Sequence, residues 1–245
     1  ATWRIADRTI EFDSMPLLMG IVNVTPDSFS DGGKWAGTDA AVSRALKMVE
    51  DGADILDIGG ESTRPNSDSV SLDEELQRVV PVIQRLAKQL AVPISIDSSK
   101  SEVARAAIDA GATIINDVTG LNGDSKMIQV ARETGAGICA MHMQGTPQTM
   151  QENPRYANVV EDILAWLKQQ KKKLLDDGIE PERICLDPGI GFGKTHEHNW
   201  QLVKSIDRFH ETGSPVLAGH SRKGFIGKLT GPDLIARDAG TLGIS

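Results

Sequence analysis

Cysteine is nearly absent from this chain. The two present, Cys139 and Cys185, both fall inside apolar runs, so no disulfide scaffold is expected and each thiol should pack as a small hydrophobe. Basic residues are outnumbered, 26 Lys and Arg against 34 Asp and Glu, and the formal charge of -8 argues against a nucleic-acid partner. An anionic substrate would have to be held by local Arg and Lys groups against that overall field. The one basic run, Lys171-Lys172-Lys173, closes a polar helical segment and reads as a solvated face. Apolar stretches are far too short to span a membrane and no secretory leader precedes the first of them, so no membrane association and a reducing, cytoplasmic setting are expected. No linker, low-complexity tract or heptad repeat divides the chain, which reads as one domain over residues 1–245. It opens on Ala1 rather than Met, for which trimming or an earlier start is expected.

Several catalytic signatures are missing too. The run Gly189-Ile190-Gly191-Phe192-Gly193-Lys194-Thr195 looks like a phosphate-binding loop, but the first glycine of that motif would have to stand at Pro188, and the spacing fits no dinucleotide fingerprint. It reads instead as a flexible loop whose glycines let Phe192 and backbone approach a ligand closely. His196-Glu197-His198 lacks the i, i+4 spacing that puts two imidazoles on one helix face. No serine-elbow motif supports a hydrolase triad.

What is present is a repeat of another kind. Seven times a short apolar run ends in a polar cluster and gives way to a helical pattern. The runs are 17–22, 54–58, 93–96, 113–115, 137–141, 183–186 and 215–218. Helical patterns follow at 39–51, 72–90, 101–110, 125–134, 158–177, 196–209 and from Lys223 onward, several closing on glycine. Strands alternating with long helices predict α/β architecture with a parallel sheet, and 245 residues suit one (β/α)8 barrel. Before the first run, residues 3–13 alternate weakly like a hairpin that could plug the bottom of the barrel. Only seven strands are counted. The eighth is expected from a segment beyond Ser245 or from another chain, since an open barrel exposes two edges.

In such a barrel the polar residues at the carboxyl ends of the strands converge on one mouth. Asp97, Asn116 and Asp187 end three different runs, and two carboxylates with an amide suit a flat, donor-rich heterocycle. A helix-capping role is the competing reading for each alone, as for Asp97 before Ser98. Glu61-Ser62-Thr63-Arg64-Pro65 and Ser221-Arg222-Lys223 follow glycines and offer hydroxyl, guanidinium, ammonium and backbone N–H groups to phosphate oxygens, helped by a helix starting near Lys223.

These residues resemble one family, the dihydropteroate synthases, pterin-binding barrel enzymes of folate biosynthesis. The resemblance lies in Met19-Gly-Ile-Val-Asn-Val-Thr-Pro-Asp-Ser-Phe-Ser-Asp-Gly-Gly33, Asp57-Ile-Gly-Gly-Glu-Ser-Thr-Arg-Pro65, Ile96-Asp97, Ile115-Asn116-Asp117, Met141-His-Met-Gln-Gly145, Leu186-Asp-Pro-Gly-Ile-Gly-Phe-Gly-Lys194 and Gly219-His-Ser-Arg-Lys223. It implies condensation of 6-hydroxymethyl-7,8-dihydropterin diphosphate with 4-aminobenzoate to 7,8-dihydropteroate and pyrophosphate, with Mg2+ bound, in a cytoplasmic homodimer. By the same resemblance Asp97, Asn116, Asp187 and Lys223 match the pterin pocket, with Asp57 below them and Met141 packing on the ring. Thr63 and Arg64 match the diphosphate loop, and Asn23 the position associated with magnesium. Phe29, Pro65, Phe192 and Ser221 would frame the 4-aminobenzoate site, where sulfonamides also bind, with Gly219 and Arg222 completing the binding set.

Two features depart from the family pattern. The family's Arg-x-His pair on the eighth strand is not in this sequence, and Gly224 stands where relatives often carry Ser, which would leave the aminobenzoate carboxylate to backbone N–H groups and Ser221. Two other readings remain open at this level: a pterin-barrel methyltransferase, which has no use for the diphosphate loop, and a non-catalytic pterin-binding module.

Overall fold

The computed structural model describes residues 2–13, 15–24, 33–63, 69–231 and 233–244. The expected hairpin is there: β1 (Thr2–Ile5) and β2 (Arg8–Glu11) pair antiparallel, Trp3 opposite Ile10 and Ile5 opposite Arg8. Alternation puts Trp3 and Ile5 on one face, and both are buried.

Six parallel strands follow in sequence order, each paired to the next: β3 (Met19–Asn23), β4 (Ile55–Gly59), β5 (Ile94–Asp97), β6 (Ile114–Asp117), β7 (Gly137–Met141) and β8 (Ile184–Asp187). Between them run α1 (Gly33–Glu50), α2 (Leu72–Ala87), α3 (Ser101–Asp109), α4 (Met127–Thr134) and α5 (Val159–Asp176), followed after β8 by α6 (His196–Lys204), α7 (Gly224–Thr230) and α8 (Leu234–Leu242). The architecture is the α/β pattern of a (β/α)8 barrel. The helices start and stop where local chemistry directs. Ser71 caps α2 through the Glu74 N–H, Asn158 caps α5, and α4 ends on Gly135 in the left-handed region, φ 71.

One expectation needs correction. The seventh run, 215–218, is not a strand but a single bridge, Val216 beside Leu186, held by Leu186 N to Pro215 O at 3.0 Å and Leu217 N to Leu186 O at 2.9 Å. Pro215 has no N–H for a ladder and Gly219 interrupts it on the other side, so pairing is confined to one position.

The period of two explains why a core and a polar site share the same strands. Leu56, Ile58, Ile96, Ile115, Ile138, Ala140 and Leu186 point outward and pack under the helices. The intervening residues point the other way. Toward the strand starts these are Ile55, Ile114, Cys139 and Cys185, which make one apolar cluster with Trp3 and Ile5 of the hairpin. The hairpin thus covers the bottom, and both cysteines are free and buried, as their packing role required. Two residues further along the same inward rows stand Asp57, Asn116, Met141 and Asp187. Apolar floor and polar mouth are successive layers of one face.

Candidate active site

The strand ends bring Asp57, Asp97, Asn116 and Asp187 together with Lys223. Asn116 Nδ2 donates to Asp57 Oδ2 at 3.1 Å, which locks the amide with its oxygen turned to the other side. Asp57 Oδ1 and its register neighbour Ser95 Oγ are both buried and lack a hydrogen-bond partner of standard geometry. Burial pushes the Asp57 carboxyl up, moderated by the Ser95 and Asn116 side chains. Asp97 is pushed well up by burial and by the neighbouring Asp57, Asp117 and Glu75 charges, with Lys223 pulling the other way. A buried cluster of carboxyl groups with too few donors is a site that favours a ligand rich in N–H groups.

Asp97 is not a helix cap. The residue that caps α3 is Lys100, without a side-chain bond, and the loop before the helix is turned by Ser98 Oγ accepting the Lys100 N–H at 3.2 Å. The capping alternative therefore falls away for Asp97. Asp117 caps no helix either: its carboxylate faces the other side of β6 and takes the N–H groups of Thr119 (2.8 Å) and Leu121 (3.2 Å) in the turn that follows, with burial raising its pKa to about 6.

Asp187 closes β8. Its Oδ1 accepts the Gly189 N–H at 2.6 Å, and burial raises its pKa to about 6 despite Lys223 and Lys194 nearby. Gly219 lies beside it: a Cβ there would stand 3.9 Å from Asp187 Oδ2. Lys223 sits just before α7, with its ammonium 4.0 Å from the centre of the Phe192 ring, and burial lowers its pKa to about 8 against the pull of Asp187 and Asp97. Met141, buried at the end of β7, touches the turn at Gly189. Asn23, exposed at the end of β3, lies with Asp97 around Gly59, whose missing Cβ would be 3.7 Å from the Asn23 oxygen and 3.4 Å from an Asp97 oxygen.

The remaining sequence candidates divide. Thr63 is half-buried just past β4, while Arg64, Pro65 and Phe29 lie outside the described residues. Ser221 is exposed on the turn before Lys223. Arg222, at φ 57, is bound through Nη2 to Asp238 of α8 at 2.7 Å, so its guanidinium is engaged there rather than with the carboxyl cluster.

Two features escaped the sequence reading. The glycine run after β8 is not a flexible loop: Tyr156 Oη donates to Gly193 O (2.7 Å), Gln151 Nε2 to Gly191 O (3.0 Å), and Gly191 N donates to Asn199 Oδ1 (2.7 Å). Its glycines admit neighbouring protein, since a Cβ on Gly189 would meet His142 O at 1.9 Å and one on Gly191 would meet the Lys223 side chain at 2.7 Å. Inside this packing Lys194 and His142 form a buried pair, Nζ to Nδ1 3.1 Å, which no local motif announces. His198 closes a capping box with Thr195, and among the described residues no group of three His, Cys, Asp or Glu could hold a metal. A solvent-open depression of about 530 Å³ between α4 and the end of α5 belongs to the helix layer, away from the strand ends.

The comparisons with known proteins point to one family. The family model for pterin binding enzymes matches residues 19–245. The chain is 49% identical to the dihydropteroate synthase of Haemophilus influenzae over 214 residues, covering 87% of this chain and 78% of that protein. It superposes with a TM-score of 0.91 on a Xanthomonas albilineans dihydropteroate synthase solved with 4-aminobenzoic acid, at 44% identity over 99% of this chain and 86% of that one. The Yersinia pestis dihydropteroate synthase in a sulfonamide drug complex gives a TM-score of 0.92 at 40% identity, over 100% and 88% of the two chains.

Proposed function

The chain belongs to the pterin-binding enzymes, within the dihydropteroate synthases, and from that premise we propose that its site joins 6-hydroxymethyl-7,8-dihydropterin diphosphate to 4-aminobenzoate in folate biosynthesis, releasing pyrophosphate and 7,8-dihydropteroate. The observation that carries the assignment is the Asp57–Asn116 pair with Asp97, Asp187 and Lys223 around it: a buried acceptor cluster with more carboxyl oxygens than protein donors. A pterin ring supplies N–H donors to Asp97, Asp187 and Asp57 and takes the Lys223 ammonium on an acceptor edge. Donors arriving at raised carboxyls draw them into the ionised form.

The substitution runs dissociatively. The C–O bond to the diphosphate breaks first, its electron pair leaves with pyrophosphate, and the cation left on the methylene is delocalised into the pterin. The Asp97 and Asp187 carboxylates stabilise that cation. Lys223, with Thr63 and Arg64 from the loop after β4, receives the departing charge. The arylamine nitrogen then bonds the methylene carbon and loses its proton. Phe29, Pro65, Phe192 and Ser221 frame the aminobenzoate ring, with the Gly219 and Arg222 backbone alongside.

Mg2+ is supported by the donor chemistry of Asn23, whose amide oxygen at the end of β3 is a hard-oxygen ligand; with substrate phosphates it would hold the ion, which would supply charge to the diphosphate. A homodimer is supported by Leu229, Ile235 and Leu242, exposed on the packed helices α7 and α8. No helix among the described residues is long and apolar enough to cross a membrane, and the two free thiols accord with a cytoplasmic setting.

The test is pyrophosphate release from the pterin diphosphate by the full protein with and without 4-aminobenzoate. Release coupled to dihydropteroate formation is the expected result. Pterin binding without pyrophosphate release would refute the synthase reading in favour of a methyltransferase or a binding module.

A further inference from the structure

Lys194 is 2% exposed and none of its hydrogen bonds goes to a carboxylate. Its ammonium faces His142 Nδ1 at 3.1 Å, His142 O at 3.4 Å and Phe192 O at 2.8 Å. Burying a cation on neutral acceptors is costly, so an apolar side chain of equal length would serve packing better. What the lysine does that an apolar residue cannot is join two loops. His142 follows β7, with its ring edge-on to Trp166 at 5.0 Å between centroids. Phe192 belongs to the glycine run after β8, and its ring lies under the Lys223 ammonium. On either side Gly191 O and Gly193 O are held by Gln151 and Tyr156, and on Phe192 itself the carbonyl is held by the Lys194 ammonium.

We propose that Lys194 is a positioning residue for the second substrate: by binding Phe192 O from a base anchored on His142, it fixes the Phe192 ring that forms one wall of the 4-aminobenzoate subsite. The proposal rests on the reading that Phe192 frames that subsite. His142 suits the anchor because burial and Lys194 lower its pKa to about 3, which keeps the ring neutral throughout the working range, and the tautomer with its proton on Nε2 presents Nδ1 to Lys194 as an acceptor. Burial also lowers Lys194 to about 7, so at pH 8 its charge adds little to the carboxyl cluster and its role there is that of a hydrogen-bond donor.

The experiment is a double-mutant cycle at pH 8 on the full protein, with Lys194→Met, Phe192→Leu and the pair, recording kcat, KM for each substrate and thermal unfolding. Lys194→Met is expected to raise KM for 4-aminobenzoate roughly tenfold while KM for the pterin diphosphate moves less than about threefold. Phe192→Leu should raise the same KM, and the double variant should be no worse than the worse single one, because both act through one ring. Equal rises in both KM values, or effects that multiply in the double variant, would overturn the proposal and leave Lys194 a structural residue. An unchanged aminobenzoate KM in Phe192→Leu would instead remove the subsite reading, and the proposal with it. Lys194→Gln, which keeps a donor for Phe192 O, is expected to hold the aminobenzoate KM within about threefold of wild type, and it serves where Lys194→Met loses its cooperative transition; a folded Lys194→Gln with that KM raised roughly tenfold would overturn the proposal.

Discussion

Asp187→Asn should make the ligand-free protein more stable while disabling it. Burial raises the folded carboxyl from 3.8 to about 6, so above pH 6 the ionised group costs about 3 kcal/mol more in the fold than in the unfolded chain, at about 1.4 kcal/mol per pH unit. Asparagine removes that charge and keeps an oxygen for the Gly189 N–H, so a gain of roughly 1–3 kcal/mol is expected, allowing for loss of the attraction to Lys223. For a chain of 245 residues this is a rise in Tm of about 3–8 °C. The sign follows from which state holds the proton. Between 3.8 and about 6 the folded wild-type chain keeps a proton that the unfolded chain has lost, so its stability falls as pH rises through that window. The advantage of the variant should therefore be full above about pH 6, fall to about half near pH 5 and disappear below 3.8. Calorimetric unfolding at several pH values, with pterin diphosphate titrations alongside, measures both halves. A variant less stable than wild type at pH 7.5, or a gain that does not shrink on acidification, would refute the view that this carboxylate is held at a cost to the fold.

Lys223→Met should weaken pterin diphosphate binding roughly 30-fold or more, about 2 kcal/mol. In the wild type, affinity should decline as pH passes about 8, where the ammonium deprotonates, and the variant should lose that dependence in the same titration. Asn116→Asp replaces the donor 3.1 Å from Asp57 Oδ2 with a second carboxyl, so pterin binding should fail at pH 8 and recover in part toward pH 5, where the pair can share a proton; fluorescence titration reads this directly. Trp3→Ala should cost about 3–5 kcal/mol in urea unfolding yet leave both KM values unchanged, because the side chain fills the end of the barrel opposite the strand ends.

The strand starts and ends were legible because each apolar run is short and stops at a polar residue that cannot be buried alone. The inward row could also be read by counting in twos from Asp97, Asn116 and Asp187, and the structure brings these together with Asp57 and Lys223. The run 215–218 misled because its composition is that of a strand while its pairing is limited by a missing N–H at Pro215. Lys194 and His142 were invisible for a different reason: they are 52 residues apart, and their contact depends on three glycines that bring one loop against the backbone of another. The usable signal was the positive-φ demand implied by Gly189, Gly191 and Gly193, which points to close packing as readily as to flexibility.

The hairpin has a consequence for how the protein is made. Trp3 Nε1 donates to Arg183 O at 3.0 Å, a contact between residues 180 apart, and Ile5 packs where a Cβ on Gly137 would stand. Residues 2–11 are translated well before β7, β8 and the turn before β8, which complete the seat begun by Ile55 of β4 and Ile114 of β6. At about 5–20 residues per second the wait is roughly 10–35 s. During it, Trp3 and Ile5 have only the two-stranded ribbon to shelter them, which is marginal in water by itself. The hairpin, translated before its seat, is therefore late to dock, and loop-closure entropy makes its docking a slow step of high sequence separation. Sealing of the barrel's lower end thus reports that the β7–β8 half has already formed.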